Sequence, residues 1–171
     1  MPSSLRLTTT APAPAQPMID TPHIADLPAR PTAFIHVTCT REEIQHVMGQ
    51  GVRDLMDAVA AQGASPAGPW FTHHRRRPTD TFDFEISVPL ATPIGPHGRM
   101  QPGEWPAMRV ARTVHRGRYE DLAGAWGEFL QWIEGEGLTP TGELWECYLT
   151  GPETGSDPTA WRTELNQPLQ D

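Results

Sequence analysis

The feature that most constrains this chain is that it repeats itself. Gly63-Ala64-Ser65-Pro66-Ala67-Gly68 is echoed by Gly137-Leu138-Thr139-Pro140-Thr141-Gly142, an offset of 74 residues from Pro66 to Pro140. Glu85 stands four residues before Pro89-Leu90, and Glu164 four before Pro168-Leu169, an offset of 79. Glu42 and Ile44 match Glu120 and Leu122 at 78. One match could arise by chance. Three in register, with the length changes confined to loops and about one helical turn, point to an internal duplication.

The repeated unit reads as β-α-β-β. Ala33 to Cys39 is rich in β-branched and apolar residues, as a strand is. Thr40 with Glu43 forms a capping box, which satisfies free N–H groups at a helix start. Apolar residues from Ile44 to Val59 then recur at spacings of three and four, and Gly63 suits the helix end. Trp70–His74 and Thr81–Leu90 read as two strands around a basic run, His73-His74-Arg75-Arg76-Arg77, expected as a solvated hairpin loop. The second half follows suit. Strand Ala107–Arg116 leads to a helix from Tyr119 whose stripe carries Leu122, Trp126, Phe129, Leu130 and Ile133, and strands Glu143–Thr150 and Trp161–Leu169 follow. The expected class is α+β: two βαββ modules of antiparallel strands, related by a pseudo-two-fold axis, with a ligand cleft between them.

Boundaries follow from composition. Residues 1–31 hold Pro2, Pro12, Pro14, Pro17, Pro22 and Pro28 and no aromatic before Pro31, so they read as a flexible leader rather than a signal peptide. The domain then spans 32–171, with halves at about 32–92 and 104–171, joined by a Pro- and Gly-rich linker over 93–106. A net charge of −8 argues against direct nucleic-acid binding. No stretch is long and apolar enough to cross a membrane. Two distant cysteines, Cys39 and Cys147, read as free thiols of a cytoplasmic protein. No metal-ligand spacing or nucleotide motif occurs, so no metal and no cofactor is expected.

The segment Leu144-Trp145-Glu146-Cys147-Tyr148-Leu149 carries the chemistry. Strand side chains alternate, so Trp145, Cys147 and Leu149 share one face, expected to lie beneath a helix. Leu144, Glu146 and Tyr148 share the other. At an offset of 74, Leu144 matches Trp70, Glu146 matches Thr72 and Tyr148 matches His74. A carboxylate on one wall and aromatic rings on the other suit a bulky, apolar, cationic ligand. Tyr119 at the second helix start and Trp105 in the linker, as a lid, are further candidates to line the cleft. Trp126 reads as core.

The run His115-Arg116-Gly117-Arg118-Tyr119, then Gly137-Leu138-Thr139-Pro140, Trp145-Glu146-Cys147-Tyr148-Leu149-Thr150-Gly151-Pro152 and Thr163-Glu164-Leu165-Asn166-Gln167-Pro168-Leu169, resembles the GyrI-like family, also called the bacterial transcription-activator effector-binding domain. The likeness covers about residues 32–170. It implies two βαββ modules around a cleft for hydrophobic, often cationic drugs, with Glu146 at the charge-recognising position and Tyr148 beside it. Some members of that family carry helix-turn-helix domains; this leader is too short and Pro-rich for one. Other free-standing members resemble hydrolases that open cyclopropane-bearing genotoxins, which makes Glu146 as acid or base and Tyr148 as donor the alternative reading. The gyrase-inhibitor origin of the family name allows a protein partner, but no residue here specifies one. Thr72 and His74 depart from the more aromatic lining the family would imply.

Overall fold

The computed structural model of the chain describes residues 18–170. The leader's first 17 residues lie outside that range. Strands β1 (His23–Leu27) and β2 (Arg30–Thr40) lead into helix α1 (Ile44–Ala61), then β3 (Phe71–His74) and β4 (Thr81–Pro89). The pattern recurs as β5 (Gln101–Trp105), β6 (Met108–Arg116), α2 (Leu122–Gly135), β7 (Leu144–Thr150) and β8 (Arg162–Pro168). All eight strands form one antiparallel sheet in the order β1-β6-β8-β7-β3-β4-β2-β5.

Local chemistry explains both helices. The Thr40 N–H and hydroxyl donate to Glu43 Oε1, each at 2.9 Å, and turn the chain into α1. Gly63 and Gly137 end the two helices at φ +71°, where a side chain would be strained. There Ala64 N–H reaches the Val59 carbonyl and Leu138 N–H the Ile133 carbonyl. Leu55, Ala58 and Val59 of α1 bury against Ile35, Val37, Phe84 and Ile86; Ala125, Trp126, Phe129 and Ile133 of α2 bury against Ala111, Leu144 and Leu165. Each large apolar side chain so buried contributes about 1.5–3 kcal/mol. Both helices thus pack on one face of the sheet, called the front.

Four expectations change. Residues 23–27 of the leader and 101–105 of the linker are strands, not loose chain. Pro22 and Pro28 beside the first and Pro102 within the second disguise them, and each is held by pairing to the other half: Leu27 opposite Met108, and Arg30 opposite Trp105. The Trp145 face of β7 is not beneath a helix; Leu144, which touches the α2 cluster, places Glu146 and Tyr148 on the helix side. Alternation shows which residues share a face, not which face a helix covers, and β7 is buried on both. Finally, the basic run is not solvated throughout: His73 and His74 lie in β3, the strand expected over 70–74, and His74 is buried, while Arg75 and Arg76 are exposed in the loop that follows.

The back of the sheet is concave. Trp105 of edge strand β5 stacks on Trp145 of central β7 with ring centroids 4.4 Å apart. Four strand steps of about 4.8 Å would separate the two strands by roughly 19 Å in a flat sheet, so the edge has curled over. Leu27, from the opposite edge, packs on the same cluster.

Candidate functional site

The two halves meet where β3 pairs with β7, and there Thr72 lies directly opposite Glu146. Phe71 pairs with Ser87 and Trp145 with Asn166, so Thr72 and Glu146 hold equivalent places in their halves. The candidate site is therefore at the seam, on the front face, beside the Trp126 position of α2.

Glu146 is 8% exposed. Its carboxylate meets three protein groups, each at long range: Trp126 Nε1 donates to Oε2 at 3.4 Å, the Tyr148 hydroxyl donates to Oε1 at 3.5 Å, and His74 Nε2 lies 3.4 Å from Oε1. Hydrogen bonds to carboxylates are ordinarily 2.5–2.9 Å, so these three compensate its burial weakly. Shorter contacts tie the neighbours to one another. The Thr72 hydroxyl lies 2.8 Å from the Tyr148 hydroxyl and 3.1 Å from His74 Nε2. His74 Nδ1 is buried with no partner among the described residues, and its ring stacks on Phe84 at 5.1 Å.

Burial raises the Tyr148 hydroxyl well above an ordinary phenol, the nearby Glu146 charge adds to the rise, and the Thr72 contact opposes it. Tyr148 therefore keeps its proton across the physiological range and remains a donor. Tyr119 rises through burial and then through the Glu153 and Glu146 charges. Its hydroxyl lies over Gly151, where a Cβ would collide with it. Trp70 stacks on Tyr148 at 4.2 Å, and Tyr119 meets Tyr148 edge-on at 5.8 Å and Trp161 at 5.3 Å.

Six residues singled out from the sequence thus come together: Glu146, Tyr148, Trp70, Thr72, His74 and Tyr119. Trp105 does not join them. It lies on the back face, 3% exposed, against Phe71 and Trp145. Trp126, read as core, is core and also the indole donor to Glu146. Its place on the α2 stripe was the available signal, because a stripe that covers Leu144 also reaches Glu146, two residues along the same face. Phe84 and Trp161 complete the aromatic surround.

Two hollows lie away from this cluster: one of about 260 Å³ beside α1, touching Ile35, Asp54 and Met100, and one of about 280 Å³ on the back face. Among the described residues no group of three or more His, Cys, Asp or Glu could hold a metal ion, and no helix is long and apolar enough to cross a membrane.

A family model described as the GyrI-like small molecule binding domain matches residues 20–170. A search of curated proteins finds no match. Among solved structures, the EcmrR C-terminal domain superposes with a TM-score of 0.76 at 18% identity, covering 88% of this chain and 98% of that one. The structure of SAV2435 bound to tetraphenylphosphonium gives 0.62 at 16%, covering 88% and 94%. A hydrolase from Listeria innocua gives 0.62 at 14%, covering 87% and 91%. At these identities the structural likeness speaks to the fold.

Proposed function

We infer the function from one premise: the chain belongs to the GyrI-like small-molecule binding family. Its ligand is a bulky, apolar cation, held on the front of the sheet between the two helices, with Glu146 as counter-ion. One observation carries this reading. A carboxylate sits at the seam of the two halves, 8% exposed, with its three protein contacts no closer than 3.4 Å. Burying an incompletely satisfied charge is costly, and an incoming cation offsets that cost. Trp70, Tyr148, Tyr119 and Trp126 supply ring surface, each cation–π contact contributing about 0.5–2 kcal/mol. The fold shared with a protein solved with tetraphenylphosphonium supports the same ligand class. The chain works in the cytoplasm, with Cys39 and Cys147 as free, buried thiols.

The test is a calorimetric titration with tetraphenylphosphonium. Glu146→Gln keeps the side-chain shape and removes the charge. Binding should weaken about tenfold or more, which is 1.4 kcal/mol or more. Equal affinity in both proteins would remove Glu146 from charge recognition.

A second reading, hydrolysis of a strained cyclopropanoid, is favoured by one contact. Tyr148 holds a proton within 3.5 Å of Glu146, so a donor and a candidate base sit side by side. Turnover of an electrophilic cyclopropanoid, lost in both Glu146→Gln and Tyr148→Phe, would establish it. No turnover in the parent protein would dismiss it.

A further inference from the structure

The back face holds a second concave feature that the front site does not use. The strand register explains why it exists. Leu27 opposite Met108 on β1 and Trp105 opposite Arg30 on β5 occupy matching places at the two edges of the sheet. Trp105 fills its side by stacking on Trp145. Leu27 is much smaller, and on its side a cavity of about 280 Å³ remains.

The walls of that cavity are chemically mixed. Arg112 reaches Glu164 at 3.4 Å and donates from Nε to Asn166 Oδ1 at 2.6 Å. Asn166 in turn donates to Glu164 Oε1 at 3.1 Å, so the one carboxylate in the wall is already satisfied. Arg30 is exposed and lies over Trp105, its Cζ 5.7 Å from the ring centroid. Among the described residues no carboxylate lies within ion-pair distance of Arg30. The lining therefore carries two guanidiniums against one carboxylate, a net positive spot on a chain of charge −8. Burial and the Glu164 charge push the Cys147 thiol up, while Arg112 and Arg30 both pull it down, so both arginines act at the same wall. Leu149, the exposed large hydrophobic among the described residues, stands at this cavity too.

We propose that the back-face cavity is a second ligand site, taking a small aromatic anion whose acid group pairs with Arg30 beside Arg112 and whose ring lies against Leu27, Leu149 and Trp105. Arg30 supplies the free charge; Arg112, already engaged by Glu164, sets the local sign. The two sites face opposite sides of the sheet and prefer opposite charges, so they fill independently.

The experiment titrates 2-naphthoate and its neutral analogue 2-naphthamide into the full chain, with and without saturating tetraphenylphosphonium. The naphthoate should bind one per chain, with unchanged affinity when the phosphonium is present, and about tenfold more tightly than the amide. Arg30→Met, at an exposed position, should remove most of that preference while leaving phosphonium binding intact. No naphthoate binding, equal binding of acid and amide, displacement by the phosphonium, or full affinity in Arg30→Met would each overturn the proposal. The acid–amide comparison uses the unaltered protein and decides even if the variant folds poorly.

Discussion

Replacing Thr72 with valine should destabilise this protein out of proportion to the change in shape. The two side chains are nearly isosteric, and both favour a strand. Thr72 is fully buried at the seam, and its hydroxyl lies 2.8 Å from the Tyr148 hydroxyl and 3.1 Å from His74 Nε2. Without it, Tyr148 has only Glu146 at 3.5 Å, and His74 Nε2 only the same carboxylate at 3.4 Å. A buried polar group left without its partner costs about 1–3 kcal/mol, and two are affected, giving about 2–6 kcal/mol in all. Urea unfolding followed by tryptophan fluorescence reads this directly. With a slope of roughly 2 kcal/mol per molar, the midpoint should fall by about 1–3 M. Thr72→Ser keeps the hydroxyl and loses a methyl, and should cost only about 1 kcal/mol. A valine variant as stable as the parent, or more stable than the serine variant, would refute the hydrogen-bonded network at the seam.

Two further outcomes follow from the same contacts. Trp126→Phe removes the indole donor to Glu146 Oε2 but keeps a ring on α2; melting should drop by the equivalent of about 1–2 kcal/mol, while tetraphenylphosphonium still raises the melting temperature. Glu85 lies on β4, where burial raises its carboxyl but contacts with His73 at 3.1 Å and Arg75 at 2.8 Å more than reverse this, leaving it below the usual carboxylate range. A depressed folded pKa stabilises above the unfolded value of about 4.3 and is lost as pH falls through the folded one. Glu85→Gln should therefore lower stability at pH 7 and flatten its decline between about pH 5 and pH 3, measured by thermal melts across that window.

Much of this architecture was legible because it depends on short-range patterns. The α1 and α2 stripes, their glycine ends and six of the strands follow from spacing alone, and the offsets of 74 and 79 align Thr72 with Glu146 before any coordinates. What escaped was decided at long range. Segments 23–27 and 101–105 look like linker by composition and become strands only through partners on the other half, Met108–Arg112 and Arg30–Phe34. Composition alone therefore makes Trp105 look like a lid, whereas the curl of the sheet carries it to the back. The polar duty of Trp126 was hidden for the opposite reason: an apolar stripe accounts for the ring and leaves the indole N–H out. In the expected β3–β4 loop, Arg75 and Arg76 are exposed, while Arg75 also pairs with Glu85 and Arg77 donates to Gln167.

The most direct test is a crystal structure of the chain grown with tetraphenylphosphonium. The phosphorus should lie on the helix side of the sheet, within about 6 Å of the Glu146 carboxylate, with its phenyl rings against Trp70 and Tyr148. A phosphonium bound elsewhere, with the Glu146 contacts and the Trp70–Tyr148 stack undisturbed, would contradict the account.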